Sequence, residues 1–593
     1  MDTPQPTLKE EAVALFNAEQ FDAAKQILAR LAAQNQADTD VWIYLIKTHS
    51  QLGEFGEMER CCRQVLGLMP NLLDAHYLLG AALVSLRRSE EAIISLRRAL
   101  QLKPDYTPAL FQFARAQQQL GRFGEAITYY KLALQQYPEF ADAHEAIGTL
   151  CAAQGNLTEA AEHFRAALRV SPNYHKAHSD LVLLYNYSSE HDADTIFSEH
   201  VRWGQNHALT PLVPARTPAG EDPDRRLRIG YVSPDFYRHS VSFFIEPLLA
   251  NYDAAQFEIF CYASVLRPDS TTERLRGLSQ HWLAVQNLNN DRLAEAIYED
   301  RIDILVDLSG HTGDSRLVAF TRRPAPIQIS YLGYPNTTGS PAIDYRLTDA
   351  WADPPGMTER YHTEKLLRIP NGFLCYRPPA DAPPVVPSPA AAQGFVTFGS
   401  FNNLTKVTPE VVALWAAVLK SVPDSRLVFK NRSFQDGLAR KRYLEQFKQH
   451  GIMDYRLELL PPELKMLNHL HLYGRIDISL DTFPYNGTTT TVESLLMGVP
   501  VVTLAGRMHA GRVGASILSQ VRMEHLIAQS KEEYIRIAVG LAEDVEELSR
   551  LRSNLRQRVT ESHLCDERSF AAEIEQIYRR IWVQWCTGVS GSA

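Results

Sequence analysis

Along the first third of the chain, small and apolar positions recur with a long fixed step as well as with the short step of a helix. Pro70, Pro104, Pro138 and Pro172 stand 34 residues apart, and each closes a helical stretch. Gly80, Ala114 and Gly148 keep the same phase, as do two alanine sets, Ala92, Ala126, Ala160 and Ala99, Ala133, Ala167. Gly53, Gly121 and Gly155 mark a turn inside each unit, while Leu79, Phe113, Ile147, Phe164 and Leu168 supply an apolar stripe. Small residues at fixed points let paired helices approach closely, so the pattern predicts a stack of helical hairpins.

A 34-residue step is that of tetratricopeptide repeats. A degenerate first repeat fits residues 16–31 and a last one starts at residues 177–187, which places the array over residues 7–190. Such stacks bury only neighbour-to-neighbour cores and present a long concave face, whose usual work is holding a peptide or partner. A spacer or dimer platform, and with it a homo-oligomer, is the plainer reading. Beyond residue 190 the composition turns polar and Pro-rich (TPLVPARTPAGEDPD), predicting a linker over residues 191–225 with a few helical residues at 196–207.

From residue 226 the pattern changes to short β-branched runs between helical stretches: LRIGYVS, FEIFCYAS, IDILVDL and IQISYLG. A Pro/Ala-rich passage at residues 378–393 then separates these from FVTFGSF, RLVFK, RLELLP, DISLDTF and PVVTL. Buried strands alternating with helices predict parallel sheets. The expected architecture is therefore an α superhelical repeat array followed by two Rossmann-like α/β halves, residues 226–390 and 391–565. An amphipathic helix within residues 566–588 is expected to brace the first half, and the final VSGSA to be disordered.

Composition narrows the function. A net charge of -9 and a pI near 6.1 disfavour a nucleic-acid partner, which would call for a basic surplus. Seven scattered cysteines with no CxxC pair suggest reduced thiols in a cytoplasmic protein. The N-terminal MDTPQPTLKEE lacks signal-peptide character, and no apolar run approaches membrane-spanning length, so no membrane role is expected.

The stretch SLDTFPYNGTTTTVESLLMGVP, residues 479–500, carries the sharpest chemistry. A strand-like run, a turn at Asn486 and Gly487, four threonines and a helix would gather hydroxyls and helix-start amides, which together form an anion site. The plainer reading is that the threonines only cap the helix. Loops after other strands offer Ser233, Asp235 and His239; Gly310, His311 and Thr312; and Asn402, Asn403 and Lys406. A lone histidine is more often structural, whereas Lys406 sits in a polar loop before a helix, where an ammonium can meet phosphate oxygens.

Taken together, the repeats and the motifs RIGYVSPDFYRHSVSFF, ILVDLSGHT, RRPAPIQISYLGYPNTTG, FGSFNNLTKVTP and DISLDTFPYNGTTTTVESLLMGVP resemble the O-linked N-acetylglucosamine transferase and SPINDLY family. The resemblance implies a GT-B glycosyltransferase that moves one sugar, with inversion and without a metal or other cofactor, from a nucleotide donor to Ser or Thr hydroxyls of proteins. It implies that Lys406, Thr489 and Thr490 hold the donor diphosphate and that Asn403 lies near the phosphates. Thr488 and Glu493 belong to the same donor site, Glu493 facing the ribose, and His469 lies close to the base. His239 falls on the acceptor side as a candidate general base, with Asp235 or a donor phosphate oxygen as alternatives; His311 is placed on the acceptor side too.

Departures bear on the donor. The N-acetylglucosamine transferases carry a histidine at position 488, an aspartate at 493 and a uracil-reading lysine at 466, where this chain has Thr488, Glu493 and Met466, with Lys465 one position off. A second candidate histidine of those enzymes falls on Asp303. SFNNLTK, GTTTT and AGRMHAGRVG are similar to the SPINDLY branch, which in plants uses GDP-fucose, so that donor is preferred over UDP-N-acetylglucosamine. The asparagine ladder of the repeat groove is replaced by Leu78, Gln112, Ala146 and Asp180. Other readings are weaker: the Asp192 and Asp194 pair suits a metal-dependent transferase but falls in the linker, and no GxxxxGK[ST] loop exists. A repeat scaffold with an inactive transferase domain is the rival from another class.

Overall fold

The computed structural model describes residues 7–211, 221–463 and 466–588. Two compact units are distinguished: Met1–Leu150 with Arg169–Pro172, and Cys151–Leu168 with the chain from Asn173 onward. Lys465 and the VSGSA tail lie outside the described residues, as does part of the linker.

Antiparallel helices alternate regularly: Leu8–Asn17 with Phe21–Gln34, Thr39–Gln51 with Phe55–Leu68, Leu73–Ser85 with Ser89–Leu102, and Thr107–Gln119 with Phe123–Gln136. The helices Ala141–Ala153, Leu157–Val170, His175–Tyr185 and Ala193–Asn206 follow in sequence, the last two packed against each other. The close approach expected at the small positions is present, since a Cβ on Gly80 would lie 2.3 Å from the Leu96 side chain. The turn inside each of the first five hairpins has one left-handed residue, and these residues keep the 34-residue step: Glu19, Gly53, Arg87, Gly121 and Gly155, with φ between 59° and 77°. Glycine is the residue that suits this conformation; at Glu19 and Arg87 the turn is kept without it.

The helix Ala193–Asn206 occupies much of the region expected as linker. Asp192 caps it by accepting from the Thr195 amide at 2.8 Å, and Ile196, His200, Trp203 and Gly204 form a buried face at helical spacing. A histidine and a glycine in that face make its apolar stripe hard to see in the sequence. Packing is tight, because a Cβ on Gly204 would meet the Gly339 carbonyl oxygen.

The second unit holds two fully parallel sheets. The first contains β1 (Leu227–Ser233), β2 (Phe257–Ala263), β3 (His281–Ala284), β4 (Ile304–Asp307), β5 (Ile327–Ser330), β6 (Tyr345–Thr348) and β7 (Lys365–Arg368), in the order β3-β2-β1-β4-β5-β6-β7. The second contains β8 (Thr397–Ser400), β9 (Arg426–Lys430), β10 (Leu457–Leu460), β11 (Ile478–Leu480), β12 (Val501–Leu504) and β13 (Ile527–Ala528), in the order β10-β9-β8-β11-β12-β13. Both orders reverse direction once, between β1 and β4 and between β8 and β11. At such a switch point the loops leaving the strand ends diverge and open a crevice for ligands. One continuous apolar core runs through both halves.

The last helix, Glu567–Thr587, packs on the first half. The Tyr578 and Tyr231 hydroxyls lie 3.2 Å apart, Trp582 donates to the Asp222 carbonyl, and Glu575 accepts from the Asp253 amide.

Candidate active site

β11 delivers the chain into the TFPYNG loop, which its own polar groups fix. Buried Asp481 accepts from the amides of Thr482 and Gly487 and from the Thr503 hydroxyl at 2.7–2.8 Å. Asn486 donates to the Thr482 carbonyl at 2.8 Å and accepts from the Gly514 amide. A Cβ on Gly487 would stand 2.6 Å from the Thr490 hydroxyl and 3.0 Å from Asn402 Oδ1, so a side chain here would have to displace one of them.

The helix Thr489–Leu496 then begins without a side-chain cap, because the Thr488 hydroxyl does not bond the first-turn amides. Thr490 donates to Asn402 Oδ1 at 3.0 Å, Thr491 to the Gly487 carbonyl at 3.1 Å, and the buried Thr489 hydroxyl oxygen has no partner at all. A buried hydroxyl is ordinarily hydrogen-bonded. An orphan hydroxyl at an uncapped helix start suits an incoming anion better than it suits a cap.

Opposite these threonines, the loop after β8 brings in Asn402, Asn403 and Lys406. Lys406 is half-buried, donates to the Asn486 carbonyl at 2.7 Å and stands 4.1 Å from the centre of the Tyr485 ring. Burial pushes its ammonium down to about 8, against the pull of Asp481.

His239, from the loop after β1, closes the other wall of this cleft of about 280 Å³, together with Leu332, Phe373 and Leu374. It forms the N-cap of the helix Ser240–Asn251, where its Nδ1 faces the Val241 amide at 3.4 Å and Asp235 Oδ1 at 3.5 Å. Burial lowers the imidazole to about 4, so it is neutral at pH 7. Burial, with Asp314 and Asp307 nearby, pushes the Asp235 carboxyl up to about 7.

The cleft thus gathers His239, Asn403, Lys406, Thr488, Thr489 and Thr490, with Asp235 behind His239. Glu493 and His469 instead bond each other: His469 Nε2 donates to Glu493 Oε2 at 2.8 Å, and the Tyr473 hydroxyl donates to the same oxygen at 3.1 Å. His311 does not reach the cleft. It is fully buried, with Nδ1 against the Ser179 hydroxyl at 3.2 Å and Nε2 against the Thr338 carbonyl at 2.8 Å, packed between Trp203, His200 and Tyr334. Both ring nitrogens are taken, so its expected place on the acceptor side gives way to a structural one.

Sequence reasoning gave no role to His509 or Tyr485, both of which line the cleft. His509 Nδ1 lies 2.6 Å from Asp353 Oδ2; although burial alone would raise the Asp353 carboxyl, the imidazole beside it holds it well below the usual range. The motif AGRMHAGRVG contains this histidine, but its carboxylate lies 156 positions away in sequence.

The model described as Glycosyl transferase family 41 matches residues 173–376 and 389–574, and tetratricopeptide repeat models match residues 73–106 and 111–175. Among curated proteins, this chain is similar to the "Probable UDP-N-acetylglucosamine--peptide N-acetylglucosaminyltransferase SPINDLY" of Solanum lycopersicum, at 46% identity over 69% of this chain and 44% of that one. The Arabidopsis thaliana protein of the same name is 45% identical over 69% of this chain and 45% of that one. A more distant similarity, 32% over 64% of this chain and 40% of the relative, is to the Arabidopsis protein with the corresponding name SEC. The chain therefore spans less than half the length of these relatives. A solved structure of a Thermobaculum terrenum O-GlcNAc transferase mutant superposes with a TM-score of 0.81 at 38% identity, covering 86% of this chain and 98% of that one.

Proposed function

Because the chain belongs to glycosyl transferase family 41, we propose that it is a protein O-glycosyltransferase that moves a single sugar from a nucleotide donor to Ser or Thr hydroxyls. One observation carries this reading: Lys406, Thr489 and Thr490 from the second half face His239 from the first across one cleft. In the proposed step the acceptor oxygen bonds the anomeric carbon as the bond from that carbon to the phosphate oxygen breaks, inverting the centre. The acceptor proton passes to His239, to Asp235 or to a phosphate oxygen. Negative charge grows on the departing diphosphate, where the Lys406 ammonium and the threonine hydroxyls stabilise it. The repeats would hold the acceptor polypeptide.

Metal independence is part of the proposal, with Lys406 as the counter-charge. GDP-fucose is the preferred donor, supported by Thr488 and Glu493 in the donor motif. UDP-N-acetylglucosamine is the second reading, favoured by the names of the curated relatives and of the superposed structure. Sugar transfer to a Ser/Thr peptide from each donor, with and without EDTA, tests the proposal. Transfer from one donor that survives EDTA and is lost in Lys406→Ala is expected. A chain that transfers and hydrolyses neither would instead be a repeat scaffold.

A further inference from the structure

Lys430 is the last residue of β9 and is only 8% exposed. A lysine this enclosed normally meets a carboxylate, yet among the described residues no carboxylate lies within ion-pair distance of it. Its ammonium instead donates to His469 Nδ1 and stands 4.8 Å from the centre of the Phe401 ring. Burial lowers it to about 8 despite the field of Glu493 and Glu463.

The contact with Lys430 fixes its neighbours. With Nδ1 accepting, the neutral His469 ring carries its proton on Nε2, which it donates to Glu493 Oε2. Glu493 lies on the helix Thr489–Leu496, and Tyr473 holds both its Oε2 and the Thr490 carbonyl. Lys430, His469 and Glu493 therefore form one relay anchored on the helix that opens with the donor threonines. An ammonium has three N–H donors, of which one goes to His469.

Topology gives their distance from the donor motif. The switch point between β8 and β11 carries the Lys406 loop and the threonine helix, and β9 is the strand beyond β8. Lys430 stands at its C-terminal end, two strand spacings or about 10 Å from β11. That is the reach of a nucleoside measured from its diphosphate, at the sheet position where this strand order reads the nucleoside.

We infer that Lys430 reads the nucleobase of the donor, donating to a base carbonyl, O6 of guanine or O4 of uracil; the inference rests on the nucleotide-sugar reading above. Adenine and cytosine present an amino group at the corresponding edge, which would leave the ammonium facing a donor. Guanine adds N7 beside O6 and so offers a second acceptor to the same ammonium.

Titration calorimetry of the full chain with GDP, UDP, ADP, CDP and inorganic pyrophosphate tests this. Wild type is expected to bind GDP or UDP about ten- to hundredfold more tightly than ADP and CDP, and the GDP and UDP arms show which carbonyl is read. Lys430→Met is expected to bring the four nucleotides together while leaving pyrophosphate unchanged; Lys430→Arg, which keeps the charge, retains the preference. Equal wild-type affinities, or a preference that survives in Lys430→Met, overturn the inference and leave the transferase reading standing. An equal loss for all five ligands makes Lys430 a structural residue and overturns it too. No binding of any nucleoside diphosphate to wild type overturns both.

Discussion

The Lys406 ammonium donates to the main-chain carbonyl of Asn486 at 2.7 Å, tying the loop after β8 to the loop after β11. The cation is held in place by a neutral acceptor, and among the described residues no carboxylate neutralises it. Its charge remains available to an anion at the helix Thr489–Leu496. Lys406→Ala is expected to lower turnover by about 10² to 10³ while circular dichroism and the melting midpoint stay close to wild type.

The same lysine sets a pH dependence. Its value of about 8 in the free protein arises from burial, and a diphosphate beside it would raise that value, so binding takes up a proton above pH 8. Affinity for a nucleoside diphosphate should be flat below pH 8 and weaken above it, approaching tenfold per pH unit. Titration calorimetry between about pH 6.5 and 9.5 measures the slope, and Lys406→Ala should flatten it.

Thr489 separates binding from stability. Its buried hydroxyl has no partner, so Thr489→Val removes an unsatisfied polar atom at almost constant shape. The melting midpoint should hold or rise, whereas nucleotide affinity should fall about tenfold through loss of a hydrogen bond to a charged group. A destabilised variant with unchanged affinity would contradict the site.

Asp235 and His239 titrate in an unusual order, the carboxyl at about 7 and the imidazole at about 4. If His239 takes the acceptor proton, ionised Asp235 stabilises the resulting imidazolium, and protonating Asp235 removes that support. The rate should therefore fall as pH drops through about 7, and Asp235→Asn should lower the rate and abolish this limb. A limb near pH 4 with none near 7 would remove Asp235 from the mechanism.

How far this site was legible depends on distance along the chain. The repeat period and the longer strands showed in the sequence because each rests on local spacing. The strands β3, β6, β7 and β13 did not: HWLA, YRLT, KLLR and IA offer too few apolar residues to stand out, whereas an equally short strand such as ILVD sits inside the longer apolar run IDILVDL. The threonine run and Lys406 were visible as residue types in loops after strands, the places where a parallel sheet puts chemistry. His311 looked equally promising in its loop. Its burial comes from Trp203, His200 and Tyr334, whose convergence no local pattern records. The same limit hid the His509 and Asp353 pair.

The most direct measurement is release of nucleoside diphosphate from GDP-fucose and from UDP-N-acetylglucosamine in the presence of a Ser/Thr peptide, for wild type and Lys406→Ala. The account predicts release from one of the two donors, with sugar appearing on the peptide, and a loss of about a hundredfold in the variant. No release from either donor, or equal release by the variant, would contradict it.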